Sequence, residues 1–505
     1  MALPFRDKAF YGDDEIAQLG CGTYGRVFLT EKGYAIKEME NEDNLATQST
    51  LHEIVSLLKV TSPYVIPLID VIIEEDDTSL VLPLAAASLK DVIANTTLNI
   101  PELATQLCYA VATIHNANLL HLDIKPENIL LQDKSYREIW LADLGISRIH
   151  TCAFPPLQET FFSLWYRSPE IILGGPVTAK GDVWAVGLVL VEMFLSRQGG
   201  KRKVLFPGDS PLEQLYMMFR LLGTPETGIL TTLPNWKTTF PKWSRRLESF
   251  LSKNGLSKQE IDVVSFILNL DYTQRPTIFE VFQHPYFSDV EIPEELTCLE
   301  SLRLYSHHPD IEDVAPFMTE RRNVVLWMLE IGNKKKLQNE TYSLAVYLLD
   351  RMISLGKFIK TNLGYIGLAC MYIAITFYES KTLSPKTLIN LTGSSFEIPN
   401  LEQEVNNILI KTSFDLAPAT SYFFLSRHLL QNQVDGQIAL LIWKASLATL
   451  ANTLPPEDTF NAILVLADNT IPLTKDAKNL REEILDLETN RREIKLAQEL
   501  VRTRV

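Results

Sequence analysis

The sequence is poor in cysteine and in positive charge. Its five cysteines show neither the paired spacing of a disulfide framework nor the spacing of metal ligands, which favours a reducing compartment and argues against a cysteine zinc site. Lysine and arginine number 47 against 62 acidic residues, so the formal net charge is −15. Because nucleic-acid affinity depends mainly on clustered cations, we expect no nucleic-acid partner.

Long apolar segments are also missing. Residues 1–19 carry acidic side chains where a secretory signal needs an apolar core, so we expect an intracellular protein, in the cytoplasm or the nucleus. Residues 361–378 are uncharged, but they include Asn362, two glycines and two threonines, and their apolar centre is shorter than a bilayer requires. We expect a buried core helix there and no membrane partner.

Length and composition indicate several globular units. The 505 residues exceed the size at which one hydrophobic core keeps growing, and 46% hydrophobic with 22% charged residues is typical of folded chains. Strand patterns are confined to the N-terminal part, residues 285–313 form an acidic linker candidate, and amphipathic helices follow from residue 319. The sequence predicts an α+β unit followed by an all-α unit.

Local patterns predict the first elements. Residues 31–33 are a hairpin signal, and a helix with Leu51 on its apolar face follows, with Ser49 or Thr50 as its cap and Pro63 beyond its end. We expect strands at residues 27–29, 34–37, 65–73 and 79–82.

Residues 20–27 form a glycine-rich loop. Gly20, Gly22 and Gly25 would let the backbone close over nucleotide phosphates without side-chain clashes, with Val27 on the strand that follows. A tight hairpin turn uses the same glycines, so this motif alone leaves a purely structural explanation open.

A lysine and a glutamate follow in the order of strand and then helix. Ala35 and Lys37 lie on the next predicted strand, where the ammonium could hold α- and β-phosphates, and Glu53 lies on the helix as its carboxylate partner. Either residue alone would be ordinary solvated surface, but the order suits a nucleotide site.

Two further motifs carry carboxylates. In residues 121–128, Asp123 could accept the proton of a substrate hydroxyl, Lys125 could neutralise charge on the transferred phosphoryl, and Asn128 could bind a metal ion. Asp143 could hold magnesium between phosphates, and Leu144 follows it. The chemistry indicated is phosphoryl transfer.

Taken together, these motifs resemble those of protein kinases, in order and in spacing. Residues 168–170 match the end of an activation segment, and Asp182 and Arg275 match two charges that support the larger lobe. Phenylalanine is more usual than Leu144 in this family. The resemblance implies ATP and Mg²⁺ as cofactors and a bilobal kinase fold.

Residues 13–287 resemble the cyclin-dependent kinases in particular. The similarity lies in residues 49–54, 163–167, 205–209 and 222–225. It implies that Ser163 bridges Asp123 and Lys125. It also implies an adenine site with Leu82 as gatekeeper and Pro83, Leu84 and Ala85 as hinge, and inhibitory phosphorylation sites at Thr23 and Tyr24.

The departures from that family concern one phosphate site. Leu122 and His52 replace two of the three arginines that gather around an activating phosphothreonine, Arg148 is the third, and Gln158 replaces the threonine. Three arginines gathered around no phosphate would repel one another, so the replacement of two of them is consistent with the replacement of the threonine. We predict activity without activation-loop phosphorylation.

Residues 319–430 resemble a cyclin box, through residues 321–327, 337–341, 344–351 and 413–416; a generic helical bundle is the alternative. The resemblance implies a pocket that receives Leu51, whose burial is worth about 2 kcal/mol. The pocket residues would be Ile373, Leu409, Phe414 and Leu416.

The polar residues with which cyclins hold the same kinase helix are replaced here. In an ungapped reading their positions carry Thr376 and Val405, or Glu404 if the register slips by one. Tethering both units in one chain can offset the loss, because it raises the effective concentration to the millimolar range.

These observations predict a proline-directed serine/threonine kinase, monomeric and activated in cis by its own cyclin-like domain, that acts on proteins with Ser/Thr-Pro sites. Phe161 and Phe162 are unusual for a proline-selecting loop. A catalytically weak scaffold is the alternative, and both cell-cycle and transcriptional roles stay open.

The expected domains are a kinase N-lobe (1–84), a C-lobe (85–290), a linker (291–318), a first cyclin-box repeat (319–417) and a shortened second repeat with a C-terminal helix (418–505). This last helix either packs on the domain or forms a coiled coil.

Overall fold

A computed structural model describes residues 3–12, 14–22, 25–39, 41–42, 45–74, 77–94, 97–149, 163–197, 200–287, 317–356, 363–392 and 397–418. Several predictions lie outside these residues. They concern Thr23, Tyr24, Gln158, Phe161, Phe162, most of the linker, and the second cyclin repeat with its C-terminal helix.

The N-lobe is built on a five-stranded antiparallel sheet whose strands, in spatial order, are Glu15–Gly22 (β1), Gly25–Thr30 (β2), Tyr34–Met39 (β3), Thr78–Pro83 (β7) and Asp70–Ile73 (β6). The predicted turn joins β2 to β3: Gly33 adopts φ +85°, which favours glycine, and its N–H donates to the carbonyl of Thr30 at 3.0 Å. The N-lobe also has the short strands β4 Asn41–Glu42 and β5 Leu45–Ala46. The strands described in the C-lobe are β8 Ala87–Ser88, β9 Leu119–Leu120, β10 Ile129–Leu131, β11 Ile139–Leu141 and β12 Arg148–Ile149.

Two predicted boundaries are wrong. The strand expected from residue 65 begins only at Asp70, because Pro67 has no N–H for a sheet ladder, and Val65 makes an isolated bridge to Leu141 instead. The helix expected from Ser49 or Thr50 starts at Gln48, since Thr47 has the extended backbone of a cap and its side chain accepts the N–H of Thr50.

The C-lobe is mainly helical, as predicted. Its central helix, Ala179–Ser196, is buried almost all round, so it lacks a polar face and forms the middle of the lobe. The first ten helices are α1 Lys8–Tyr11, α2 Gln48–Lys59, α3 Leu89–Val92, α4 Ile100–Asn116, α5 Pro169–Ile172, α6 Ala179–Ser196, α7 Pro211–Leu222, α8 Leu247–Lys253, α9 Lys258–Ile267 and α10 Ile278–Phe282. Short 3₁₀ turns lie at Pro126–Asn128, Leu164–Tyr166, Ile229–Thr232 and Pro285–Phe287.

Within the described residues between 317 and 418, the C-terminal unit consists of helices, as predicted. The uncharged stretch forms its central helix, buried on nearly every side between its neighbours. Among the residues that the structure describes, no helix is both long and apolar enough to cross a membrane. The helices are α11 Met318–Lys335, α12 Asn339–Ser354, α13 Leu363–Tyr378, α14 Pro385–Thr392 and α15 Ile398–Lys411.

The two units meet at α2. This helix packs against α13, and β5, which precedes α2 in the chain, packs against α15. The helix that carries Glu53 therefore lies between the N-lobe sheet and the C-terminal unit.

Candidate active site

Three charged side chains from three elements meet in the cleft. Lys37 on β3 donates to both carboxylate oxygens of Glu53 on α2, at 2.7 and 2.8 Å, and to Asp143 after β11 at 3.0 Å. The Lys37 and Glu53 side chains are only 12% and 2% exposed. The cleft thus holds one ammonium between two carboxylates.

The charges of this trio stabilise one another. Burial lowers the pKa of the Lys37 ammonium, but Glu53 and Asp143 raise it by more, so the lysine stays charged. Burial raises the pKa of Asp143, yet Lys37 lowers it further, and the net direction is down. Burial raises the pKa of Glu53, and Lys37 offsets only part of that rise.

The catalytic-loop side chains converge on Asp123. Its carboxylate accepts from Lys125 Nζ at 2.6 Å, from Ser163 Oγ at 2.7 Å and from Asn128 Nδ2 at 2.9 Å. Lys125 Nζ also donates to Ser163 Oγ at 3.0 Å, so the serine lies between aspartate and lysine. The arrangement holds one carboxylate in a fixed orientation beside a cation.

Asp182 at the start of α6 fixes the backbone of this loop. Its buried carboxylate accepts the N–H groups of His121 and Leu122 at 2.9 and 2.8 Å and approaches His115 Nε2 at 2.8 Å. Leu122 adopts φ +70°, a left-handed conformation that these bonds hold in place. Burial raises the pKa of Asp182, but the hydrogen bond with His115 and the nearby charges lower it overall, so it remains an acceptor.

His121 supports the same loop as a neutral ring. Its Nε2 lies 3.1 Å from the carbonyl of Ala142, and its Nδ1 accepts the N–H of Asp123 at 3.2 Å. Burial lowers the pKa of His121, which favours this neutral form.

Asn128 and Asp143 are suitable ligands for magnesium. Asn128 uses its amide nitrogen for Asp123, so its amide oxygen is the atom it offers to a cation, and Asp143 is ionised. In the described part of the chain, no group of three or more His, Cys, Asp or Glu side chains could hold a metal ion. A magnesium ion bound to these two side chains would take its other ligands from substrate phosphates and water, as this ion commonly does.

The residues predicted for the nucleotide lie on the sheet above the cleft. A Cβ at Gly25, where φ is +142°, would lie 1.8 Å from the carbonyl oxygen of Glu38, so only glycine allows β3 to approach β2 here. Gly20 and Gly22 lie on β1, Val27 on β2, Ala35 opposite Leu82 on β3 and β7, and Pro83 at the end of β7, followed by Leu84 and Ala85.

His52 and Leu122, the two residues predicted to replace arginines of the related kinases, are both buried. His52 is buried, stacks on Phe377 of α13 at 4.5 Å, and lies within hydrogen-bond distance of two carbonyl oxygens, those of Ser147 at 3.1 Å and Phe377 at 2.8 Å. Leu122 is buried in an apolar cluster with Leu120 and Ile146. Arg148 contributes its backbone to β12, paired with Leu120 on β9.

The residues predicted for the contact with the cyclin-like unit are all buried in the apolar core that runs through both units. Thr376 and Val405 are buried as well, whereas Glu404 accepts from Asn407 on its own helix at 3.1 Å. The exposed fractions are 2% for Leu51, 1% for Ile373, Leu409 and Phe414, and 0% for Leu416.

The polar contacts at this interface run from kinase side chains to carbonyls of the C-terminal unit. Gln48 Nε2 donates to the carbonyls of Phe377 and Glu379 at 3.2 and 3.1 Å, and Lys59 Nζ donates to that of Ala417 at 2.6 Å. Sequence reasoning missed both residues. Gln48 and Lys59 are four and seven positions from His52, so all three lie on one face of the helix. This spacing could have identified them as residues of the same interface.

The last residues of the predicted activation segment are tied to the C-lobe. Trp165 Nε1 donates to the carbonyl of Gly208 at 3.1 Å, and Tyr166 donates from its hydroxyl to Glu192 at 2.5 Å. Arg275 holds Glu170 with two bonds of 2.7 and 2.9 Å, fully buried. These contacts hold residues 165–170 against the C-lobe.

Comparison with known families agrees with this geometry. The family model described as "Protein kinase domain" matches residues 14–287, more than half of the chain, and the model described as "Cyclin, N-terminal domain" matches residues 291–417.

Proposed function

Because this chain belongs to the protein kinase family and carries a cyclin N-terminal domain in the same polypeptide, we propose that it is a serine/threonine kinase of the cyclin-dependent type. In this proposal it uses ATP and magnesium, acts on Ser/Thr-Pro sites, and is activated in cis by its cyclin domain without activation-loop phosphorylation.

The chemistry follows from the side chains around Asp123. The γ-phosphoryl group passes from ATP to a substrate hydroxyl, whose proton goes to Asp123, held in place by Lys125, Ser163 and Asn128. Lys125 stabilises the charge that develops on the phosphoryl oxygens. Magnesium, held by Asn128 and Asp143, would neutralise phosphate charge when bound.

One observation supports cis activation above all: the Lys37–Glu53 pair is formed while α2 is packed against the cyclin domain. Glu53 reaches Lys37 only when α2 lies close to the sheet. Its neighbour His52 contacts Phe377 of the second unit, and Leu51 is buried in the apolar core that runs through both units. The contact of α2 with the cyclin domain and its contact with the nucleotide site thus lie on adjacent residues.

Independence from activation-loop phosphorylation is supported by the use of the former arginine positions. His52 and Leu122 both take part in buried packing, so two of the three cations of a phosphothreonine site are missing. A phosphate there would lack most of its counter-charge.

The alternative is a scaffold that recruits partners and transfers little phosphate. The complete set of charged contacts at Lys37, Glu53, Asp123 and Asp143 argues against it, since a scaffold does not need them.

The test is phosphate transfer from ATP to a Ser-Pro peptide, with a Ser-Ala peptide and the Asp143→Asn variant as controls. We expect transfer by the wild type, weaker transfer to Ser-Ala, and background with Asp143→Asn. Equal, background-level transfer by both proteins would favour the scaffold.

A further inference from the structure

The segment before the first strand makes a set of contacts that the catalytic mechanism does not use. Residues 3–12, called here the N-terminal strap, are bound to Asp70 on β6. The Asp70 carboxylate accepts the N–H of Phe5 at 2.8 Å, the N–H of Arg6 at 2.9 Å and the hydroxyl of Tyr11 at 2.8 Å.

Asp70 is suited to hold this segment. It is fully buried and also accepts the N–H of Val71 at 2.8 Å, so it receives four donors, which is about the capacity of one carboxylate. Three of the four come from the N-terminal strap. A buried charge with so many donors from one segment is a specific attachment point, since the same charge without them would be costly.

The N-terminal strap has further contacts with the sheet. The Tyr11 side chain packs in an apolar cluster with Phe28, Ile36, Ile72 and Val81. Lys32 Nζ on the β2–β3 turn donates to the carbonyls of residues 9 and 10 of the strap, at 3.1 and 2.7 Å. The strap is therefore anchored at several points on the N-lobe.

Its other end reaches the cyclin domain. The Phe5 ring stacks on Phe414 at 6.3 Å with an interplanar angle of 21°, and Leu3 is buried in the core shared by both units. Phe414 belongs to the apolar pocket predicted to receive Leu51 of α2. Phe5 also has φ +50°, a conformation that is uncommon for this residue type and that the bond to Asp70 helps to maintain.

We propose that the N-terminal strap fastens the cyclin domain to the N-lobe, so that α2 is held in place by both, and that Asp70 and Phe5 are positioning residues for the kinase reaction. The proposal deepens the proposed cis activation and rests on it. Its central contact is the Phe5–Phe414 pair, because that pair crosses between the units.

The test uses the full chain with Phe5→Ala and, as matched control, Phe10→Ala, which alters the same residue type in the same strap. Phe10 is 45% exposed; its ring contacts Arg6 and Tyr11 within the strap, and Lys32 Nζ of the β2–β3 turn lies over it at 5.8 Å, so none of these three partners belongs to the cyclin domain. Amide hydrogen exchange over Gln48–Lys59 and phosphate transfer to a Ser-Pro peptide are measured for both.

We expect Phe5→Ala to accelerate exchange in α2 and to lower kcat/KM, each about fivefold, the effect of one aromatic contact. Phe5→Tyr should restore both, and Phe10→Ala should change neither by more than about twofold. Asp70→Asn should resemble Phe5→Ala.

Wild-type exchange in α2 of the Phe5→Ala chain would overturn the proposal, whatever the activity. If the wild type itself transfers no phosphate, the proposed function fails, while hydrogen exchange still decides whether the strap holds α2.

Discussion

Replacing His52 by phenylalanine removes one of the polar contacts that join α2 to the cyclin domain, the one to the carbonyl of Phe377, together with the contact to Ser147 of the kinase domain. The new ring keeps the stacking on Phe377, but it cannot donate to the carbonyls of Ser147 and Phe377. Both partners are acceptors, so a neutral imidazole donates to one of them at a time. The variant therefore removes hydrogen bonding and preserves shape.

The expected cost follows from burial. A net hydrogen bond contributes about 1 kcal/mol, and a buried carbonyl left without its donor adds a similar amount. The sum of about 2 kcal/mol corresponds to about thirtyfold in the equilibrium between α2 in place and α2 displaced.

The assay compares kcat/KM for a Ser-Pro peptide and hydrogen exchange over Gln48–Lys59 in His52→Phe, wild type and His284→Phe. The last variant makes the same replacement in the C-lobe, where the ring lies near Phe266, away from the interface. We expect lower activity and faster exchange only in His52→Phe. Wild-type behaviour of this variant in both assays would refute the role assigned to the contact.

Three other variants test separate parts of the site. Glu53→Gln should lower kcat at least about tenfold without unfolding the chain, because an amide cannot pair with the Lys37 charge; circular dichroism and phosphate transfer check this. Leu122→Arg should lower the melting temperature, since it buries a cation among the apolar side chains of Leu120 and Ile146; an unchanged value would contradict that. Burial lowers the pKa of His121 below its ordinary value of 6.5. Just below that pH, the unfolded chain therefore binds a proton that the folded chain does not. The free energy of unfolding should fall as the pH drops below about 6.5, by up to about 1.4 kcal/mol per pH unit. His121→Gln should flatten this part of a denaturation-versus-pH profile, and an unaltered slope would assign it to other groups.

Much of the fold, and the meeting of most side chains in the candidate site, could be predicted from the sequence, because phosphoryl transfer constrains which residues occur and at what spacing. Lys37, Glu53 and Asp123 follow one another in the order of the strand, the helix and the loop that carry them. The kinase fold and the helical unit after it are confirmed by the family matches and the secondary structure. The buried helix Leu363–Tyr378 was predictable from its lack of charge.

What the sequence did not predict depends on backbone atoms of distant segments. The Gln48 and Lys59 side chains find carbonyls more than three hundred residues away, and no local pattern marks a carbonyl as an acceptor. In the sequence, Asp70 lies inside the strand predicted at residues 65–73, and only the fold shows that it binds Phe5 and Tyr11. Such contacts need the tertiary structure.

The central claim is that the cyclin domain activates the kinase domain of its own chain. The most direct measurement introduces a specific protease site within residues 291–316 of the folded full chain, cuts it, separates the two parts by chromatography and compares phosphate transfer with that of the uncut chain. Cutting removes the tether that keeps the effective concentration high. We predict that the separated kinase part loses most of its activity and regains it when the cyclin part is added back. Full activity of the separated kinase part would contradict activation in cis.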